Sequence, residues 1–349
     1  MKILYGVPGE GMGHATRSKV VVDYLLKKHD VRIVSSSRAF QFLNKSFPGR
    51  VSEIEGFHLA YKNARVDKFK TAYSILKNAK GSLRNNFLKY IELSKTFFPD
   101  LVISDFESFA FWFALQHRLP IISIDNMQII SRCNLEFRIP REEKENYWIA
   151  KNIIRAKVPS CRNYLITTFF YPEIRRQPAV LVPPILRDKI LARQPSRGNH
   201  LVVYQTAESQ EKIIGDLHAL GQETFHVYGF NRSENHGNVL LKTFSEDGFI
   251  DDLASCKGVI ANGGFSLISE AVYLKKPVCS IPIQNQFEQF VNAAYIEKLG
   301  YGRHFGKMSS DSIKAFLYEI ERFHDNLASY CQNGNELLFQ AIEREMEKL

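Results

Sequence analysis

Two α/β domains, each a parallel sheet covered by helices, are predicted by three features of this sequence. Short apolar segments alternate with helical ones along the chain. The rhythm breaks once, at a basic, proline-containing stretch, and then restarts. The length, 349 residues, suits two domains of about 100–200 residues each. Composition agrees: 45% hydrophobic and 24% charged residues describe a globular chain that buries real cores. Disordered, collagen-like and coiled-coil classes are thereby excluded.

The elements follow in order. MKILYGV (1–7) reads as a buried strand entering a glycine loop, Gly6 to Gly13. A helix over residues 15–28 follows, with Val20, Val21, Tyr24 and Leu25 on one side. VRIVSSS (31–37), DLVISD (100–105) and IISID (121–125) are further strands. FAFWFALQHRL (109–119) between the last two is a helix ended by Pro120. The basic stretch is a linker, placing a first domain at 1–175, the linker at 176–199 and a second domain at 200–325. In the second domain LVVYQT (201–206), TFHVYGF (224–230), NVLLKTF (238–244), KGVIANGG (257–264) and KPVCSIP (276–282) are strands, the last closing the series. Helices fall at 208–220, 249–255, 265–274 and 286–299, then at 309–323 and 325–348. The C-terminal segment 326–349 is a helix that can return to the first domain. Ligands of open α/β sheets sit at the carboxyl ends of the strands, so the loops there should face a cleft between the domains.

Five scattered cysteines, Cys133, Cys161, Cys256, Cys279 and Cys331, form no CxxC pair. They predict free thiols in a reducing compartment and no cysteine-ligated metal. No signal peptide is expected from MKILYGVPG. The longest apolar run, Phe109–Leu115, is far short of the ~20 residues that span a bilayer. A cytoplasmic protein, at most peripheral on the inner membrane face, is expected. The net charge is +9, and residues 61–95 alone carry +7. There Phe69, Leu76 and Leu83 recur every seven residues, with Lys70, Lys77 and Arg84 one step behind. Tyr73, Phe87 and Ile91 extend the stripe. Such a helix either packs on a core with its basic side in water, or meets an anionic membrane or lipid-linked acceptor. Nucleic acid is not expected, since no recognition motif is present.

Two glycine loops carry the chemistry. In the first, Gly6 to Arg17, the third glycine of a dinucleotide fingerprint is replaced by His14, and the second strand ends in serines without an acid. Nor is there the Gly-Lys-Ser/Thr of a phosphate-binding loop. What remains is a run of backbone N–H groups from Gly11 and Gly13 at a helix start, with a histidine at its mouth. In the second, Asn262-Gly263-Gly264-Phe265-Ser266 leaves a strand and opens a helix that carries Glu270. A carboxylate there can accept two protons from a sugar diol. Glu288-Gln289, at another helix start, suits a polyhydroxylated ligand.

These residues resemble the metal-independent, nucleotide-sugar-dependent glycosyltransferases of the GT-B fold, two Rossmann-like domains facing a cleft. The donor signature of the UDP-glycosyltransferases runs His-Cys-Gly-Trp-Asn-Ser, then Glu, Pro, Asp-Gln and Asn-Ala. Asn262 stands at its His, Gly264 at its Gly, Phe265 at its Trp, Glu270 at its Glu, Glu288-Gln289 at Asp-Gln and Asn292-Ala293 at Asn-Ala. The N-terminal Gly-x-Gly-x-Gly-His-x-x-Arg is similar to the loop of the peptidoglycan N-acetylglucosaminyltransferase and of bacterial and archaeal glycosyltransferase family proteins. The resemblance implies that Glu270 holds the ribose, Gly264 and Ser266 the diphosphate with the backbone of 264–266, and Glu288 and Gln289 the transferred sugar, with Gly263 and Phe265 also among the donor-binding residues. It places Phe244 and Phe249 against the base. Asn262 brings no charge, so Thr206 or Arg232 would assist at the diphosphate. His14 is the expected general base, with Asp105 as its orienter or as the base itself, and Glu10 as a further alternative.

The implied activity is an inverting, metal-independent transfer of a hexose or N-acetylhexosamine from a UDP-sugar to a hydroxyl of a cell-envelope or lipid-linked acceptor, with no cofactor. A nucleotide-sugar 2-epimerase and a non-catalytic sugar-nucleotide-binding protein are the alternatives.

Overall fold

The computed structural model describes residues 1–9, 11–56, 61–62, 65–66, 84–205 and 210–349. Most of the 61–95 stripe, together with Glu10 and Thr206, lies outside these residues. Two compact units divide the chain. The first comprises Met1–Ala60, Asp67–Ile185 and Asn333–Leu349, and the second Tyr61–Val66 and Leu186–Gln332.

The chain opens with β1 (Lys2–Gly6), α1 (Met12–Leu25), β2 (Asp30–Ser35), α2 (Ser37–Ser46) and β3 (Val51–Glu53). A two-stranded hairpin, β4 (Tyr61–Lys62) and β5 (Arg65–Val66), follows. Then come helix α3 (84–96), β6 (Leu101–Ser104), α4 (Ser108–His117), β7 (Ile121–Asp125), α5 (Gln128–Arg132), α6 (Lys144–Lys157), β8 (Asn163–Thr167) and β9 (Val180–Val182). Seven strands form one sheet in the order β3-β2-β1-β6-β7-β8-β9, every pair parallel. Strand order reverses between β1 and β6, so their carboxyl ends flank the crevice where such sheets bind ligands.

In the second unit the elements are α7 (Asp188–Leu191), β10 (His200–Tyr204), α8 (Gln210–His218), β11 (Thr224–Tyr228), β12 (Glu234–His236), β13 (Val239–Leu241), α9 (Glu246–Ser255), β14 (Gly258–Ala261) and α10 (Phe265–Tyr273). β15 (Val278–Ser280), α11 (Phe287–Lys298), β16 (Gly302–His304), α12 (Ser310–Tyr318) and α13 (Ile320–Ala328) complete it. The sheet runs β12-β13-β11-β10-β14-β15-β16, parallel except for β12 on β13. Here the order reverses between β10 and β14. The last helix, α14 (Glu336–Met346), belongs to the first unit. Its Leu338, Ile342 and Met346 join a core built on Ile3, Tyr5, Val22, Leu25 and Ile33, and Phe339 stacks on Tyr24 at 3.9 Å.

Several elements differ from expectation. Within the predicted linker, Val180–Val182 pairs with β8 as an edge strand. A further strand, β16, follows KPVCSIP. It is three residues long, and a Cβ on Gly302 would come within 1.9 Å of the Val278 carbonyl oxygen. An apolar pattern cannot announce so short a glycine-led strand. The helix expected at 249–255 begins earlier, at Glu246, because Ser245 caps it through the Gly248 N–H. The two closing helices become three: 309–323 breaks at Glu319, and α14 starts only after a turn through Gly334 (φ +58°). All five cysteines are free thiols. Among the described residues no helix is long and apolar enough to cross a membrane.

Candidate functional site

In the first unit the reversal point is a buried charged network. The glycine loop ends at Gly11, whose φ of +80° starts α1 in a conformation that disfavours side chains. His14 and Arg17 are one turn apart on α1 and share a face. Asp105 follows β6 directly, and its N–H is bonded to the Gly6 carbonyl at 2.9 Å. His14 Nδ1 lies 3.0 Å from Asp105 Oδ1. Arg17 clamps the same carboxylate with a fork: Nε donates to Oδ2 at 2.9 Å and Nη2 donates to Oδ1. Ser18 Oγ donates to Oδ2 at 2.9 Å. Arg17 Nη1 reaches Asn126 Oδ1, beyond β7, at 2.8 Å. Asp105 and Arg17 are 1% and 4% exposed, His14 22%. Burial alone would push the Asp105 carboxyl up, but Arg17 and His14 hold it well below the usual carboxylate range.

The loop after Asp105 is set by the same turn. Phe106 adopts φ +59°, rare for a bulky side chain. Glu107 then caps α4, its two oxygens accepting from the N–H groups of Phe109 and Ala110 at 2.8 and 2.7 Å. The Lys157 ammonium lies 4.2 Å from the centre of the Phe106 ring.

In the second unit the reversal point is built on two glycines. Gly263 is required by space: a Cβ there would lie 2.3 Å from the Gln289 carbonyl oxygen. Gly264 precedes α10 with no capping side chain, and a Cβ on it would meet nothing within 4 Å. The start of α10 therefore opens on space with the positive end of its dipole. Glu270, buried further along the helix, is gripped by a residue that sequence reasoning missed. Arg187 donates from Nε to Oε1 and from Nη2 to Oε2, both at 2.7 Å, and from Nη1 to Glu246 Oε1 at 3.0 Å. Burial pushes the Glu270 carboxyl up, with Arg187 opposing. Burial would lower the Arg187 value, but its acidic partners raise it.

Some expected donor-site side chains turn inward. Asn262, at the signature's histidine position, donates its amide to Gln205 Oε1 at 2.9 Å and to the Ile281 carbonyl at 3.1 Å. Gln289 Oε1 accepts from the N–H groups of Gly263 and Ile283 at 3.1 and 2.9 Å, which stitches two loops together. Asn292 donates to the Gly263 carbonyl at 2.9 Å and to Glu288 Oε1 at 3.3 Å. Glu288 and Ser266 are half-buried at the helix starts. Phe249 is buried among Tyr228 and Tyr204, ring centres at 5.0 and 5.7 Å, while Phe244 lies 5.7 Å from it and is 50% exposed. Arg232 is exposed in the loop after β11, 3.6 Å from Glu234.

Among the described residues, His200, His226 and Asp252 have metal-ligand spacing. Their geometry argues against an ion. The two rings stack 4.2 Å apart at 18°, so their lone pairs do not converge on one point. Asp252 Oδ2 already takes Lys242 Nζ and the Tyr228 hydroxyl, each at 2.5 Å. Burial would raise the Asp252 carboxyl, but His226, Lys242 and Tyr228 hold it well below its usual range.

Comparison with known proteins shows the family and the fold. A family model described as Glycosyl transferase family 1 matches residues 1–321. A Methanosarcina acetivorans protein named as an uncharacterized glycosyltransferase is 25% identical over 335 residues, 87% of this chain and 85% of that protein. A Bacillus cereus protein named as UDP-N-acetylglucosamine–N-acetylmuramyl-(pentapeptide) pyrophosphoryl-undecaprenol N-acetylglucosamine transferase 3 is 31% identical over 199 residues, 49% of this chain and 55% of that one. Among solved structures, a UDP-glucosyltransferase from Polygonum tinctorium superposes with a TM-score of 0.67 at 14% identity, covering 99% of this chain and 98% of the other. The calicheamicin glycosyltransferase CalG4 gives 0.65 at 16% identity, covering 100% and 98%. At these identities the structural likeness shows the fold, GT-B.

Proposed function

The chain belongs to glycosyl transferase family 1, and from that premise we propose a metal-independent, inverting transfer. A hexose or N-acetylhexosamine leaves a UDP-sugar for a hydroxyl of a cell-envelope or lipid-linked acceptor. The observation that carries the reading is His14 on the Asp105 carboxylate at one reversal point, in a chain whose other reversal point presents the open start of α10. The printed name of the Bacillus cereus relative supports a UDP-sugar donor and a lipid-linked acceptor. No cofactor enters this chemistry.

Such a transfer needs a base at the acceptor hydroxyl and stabilisation of the leaving diphosphate. His14 is the better base. Asp105 is buried, and its basicity is spent on three donors from Arg17 and Ser18. In the tautomer that carries a proton on Nδ1, Asp105 orients the ring. The leaving charge falls to the backbone of Gly264, Phe265 and Ser266 at the start of α10. Asn262 is occupied structurally and Arg187 is already paired with Glu270 and Glu246, so the start of α10 carries the diphosphate without a buried cation. Glu288 takes the sugar hydroxyls, and Gln289 holds the loop that presents it. Phe244 offers its exposed ring to the base over Phe249.

A thermal-shift screen with nucleotide sugars tests the reading. Stabilisation by one UDP-sugar with slow donor hydrolysis is expected. Interconversion of two UDP-sugars without acceptor would make the protein an epimerase, and binding without turnover a sugar-nucleotide receptor. Vesicle sedimentation tests peripheral attachment through 61–95. Binding should rise with anionic lipid content, and indifference to it would remove the membrane.

A further inference from the structure

His14 Nδ1 has two neighbours that make incompatible demands. Asp105 Oδ1, at 3.0 Å, can only accept a hydrogen bond. Arg17 Nη2, at 2.8 Å, can only donate one. A single ring nitrogen satisfies one of them: with its proton it serves Asp105, without it Arg17. We infer that Arg17 is a positioning residue that decides which nitrogen of His14 carries the proton, holding the resting ring as the Nε2–H tautomer.

Rigidity settles which partner prevails. Arg17 is fixed through Nε on Asp105 Oδ2, Nη2 on Asp105 Oδ1 and Nη1 on Asn126 Oδ1. With two bonds to the carboxylate and one to Asn126, its plane cannot rotate to turn the second Nη2 hydrogen away from His14. Asp105 has no need of the histidine proton, since Arg17 and Ser18 already give it three donors. If Nδ1 carried a proton, it would face the hydrogen of Arg17 Nη2 across 2.8 Å. If Nδ1 is a lone pair, both contacts of the guanidinium are satisfied.

The consequence bears on the base assigned to His14 above, and rests on it. Nε2 points away from Asp105 and is the nitrogen left for the acceptor. In the resting tautomer it is a donor and cannot take the hydroxyl proton. The base forms only after Nε2 releases its proton to water and Nδ1 gains one from water, a balanced exchange that needs the Arg17 hydrogen to yield. Arg17 thus opposes the reactive tautomer in the resting protein.

Nitrogen NMR of protein labelled at the histidine rings reads this directly. Spectra are recorded about two pH units above the ordinary histidine value, and a His14→Gln variant identifies the His14 signals. In the wild type Nε2 should bear the proton and Nδ1 the lone pair. Arg17→Lys keeps a cation for Asp105 but loses the second arm of the fork, so the proton should move to Nδ1. A protonated Nδ1 in the wild type overturns the inference without need of any variant that folds poorly. So does an unchanged tautomer in Arg17→Lys. Either result leaves His14 as base untouched. Conversely, full turnover in His14→Ala would remove the base and leave the tautomer assignment standing.

Discussion

The two sheets reverse their strand order in the same way, yet they spend polar groups at that point in opposite manners. In the first unit, side chains saturate one another: Asp105 receives Arg17 and Ser18 and lies beside His14 Nδ1, and Arg17 also reaches Asn126. In the second, side chains are withdrawn: Asn262 and Gln289 turn inward, and Gly264 opens on space. The contrast teaches what each task demands. A base needs one imidazole held in a fixed orientation, which takes a dense buried network. A diphosphate needs many weak donors in its path, which takes bare backbone at a helix start. One fold serves both because the carboxyl ends of its strands accept either filling.

The largest effect expected from breaking the first filling is on stability. Asp105→Asn leaves the Arg17 guanidinium buried without its counter-charge, which costs about 3–5 kcal/mol by analogy with broken buried pairs. The pH dependence has a definite sign. The Asp105 carboxyl is held below its ordinary value in the folded state. Its contribution is therefore present above about pH 4 and is lost as pH falls through the folded value. The variant should be less stable at neutral pH and show a flatter acid limb in urea unfolding. Equal stability of variant and wild type at pH 7 would show that the network is not carried by charge.

Next in size is His14→Ala. Turnover should fall at least about a hundredfold, the usual scale of a general base. Nucleotide binding, measured by calorimetry, should stay within about twofold, because the ring belongs to the other filling. A parallel loss of nucleotide affinity would erase the division of labour between the two units.

How much of this was legible in sequence follows from distance along the chain. His14 and Asp105 announce themselves locally, one by a glycine loop and the other by a strand that ends in an acid. Arg17 stands in the same motif, three residues from His14, but its double engagement depends on Asp105, 88 positions away. Arg187 has no local signal, since its partner Glu270 lies 83 residues on. Gln289 and Asn262 occupy signature positions, but sequence does not say whether an amide faces a ligand or a neighbouring loop. Most parallel strands at the sheet centres are apolar runs and were readable, but β8, an interior strand that opens on Asn163, was missed. The edge strands β9, β12 and β16, three residues each, are too short to carry a period.

Phe244→Ala sharpens the second half of the comparison. The ring is half exposed and packs against the edge of the Tyr228 and Phe249 cluster, so stability should change little. Donor affinity should drop about tenfold, within the ~1–3 kcal/mol range of base–aromatic stacking. An unchanged dissociation constant for the nucleotide would move the base away from this ring.

The smallest effect separates backbone from side chain at the diphosphate. Arg232 is 61% exposed and has one weak pair with Glu234. Exposed ion pairs contribute about 0–1 kcal/mol, so Arg232→Ala should weaken donor binding by no more than about fivefold and leave unfolding within about 0.5 kcal/mol of the wild type. The value of this variant is its asymmetry. A small loss is what a site built on the α10 start requires. A loss of a hundredfold would mean that an exposed surface cation neutralises the leaving group, and then the glycines of the second unit would be a consequence of tight loop packing at Gly263 instead of the site's working surface.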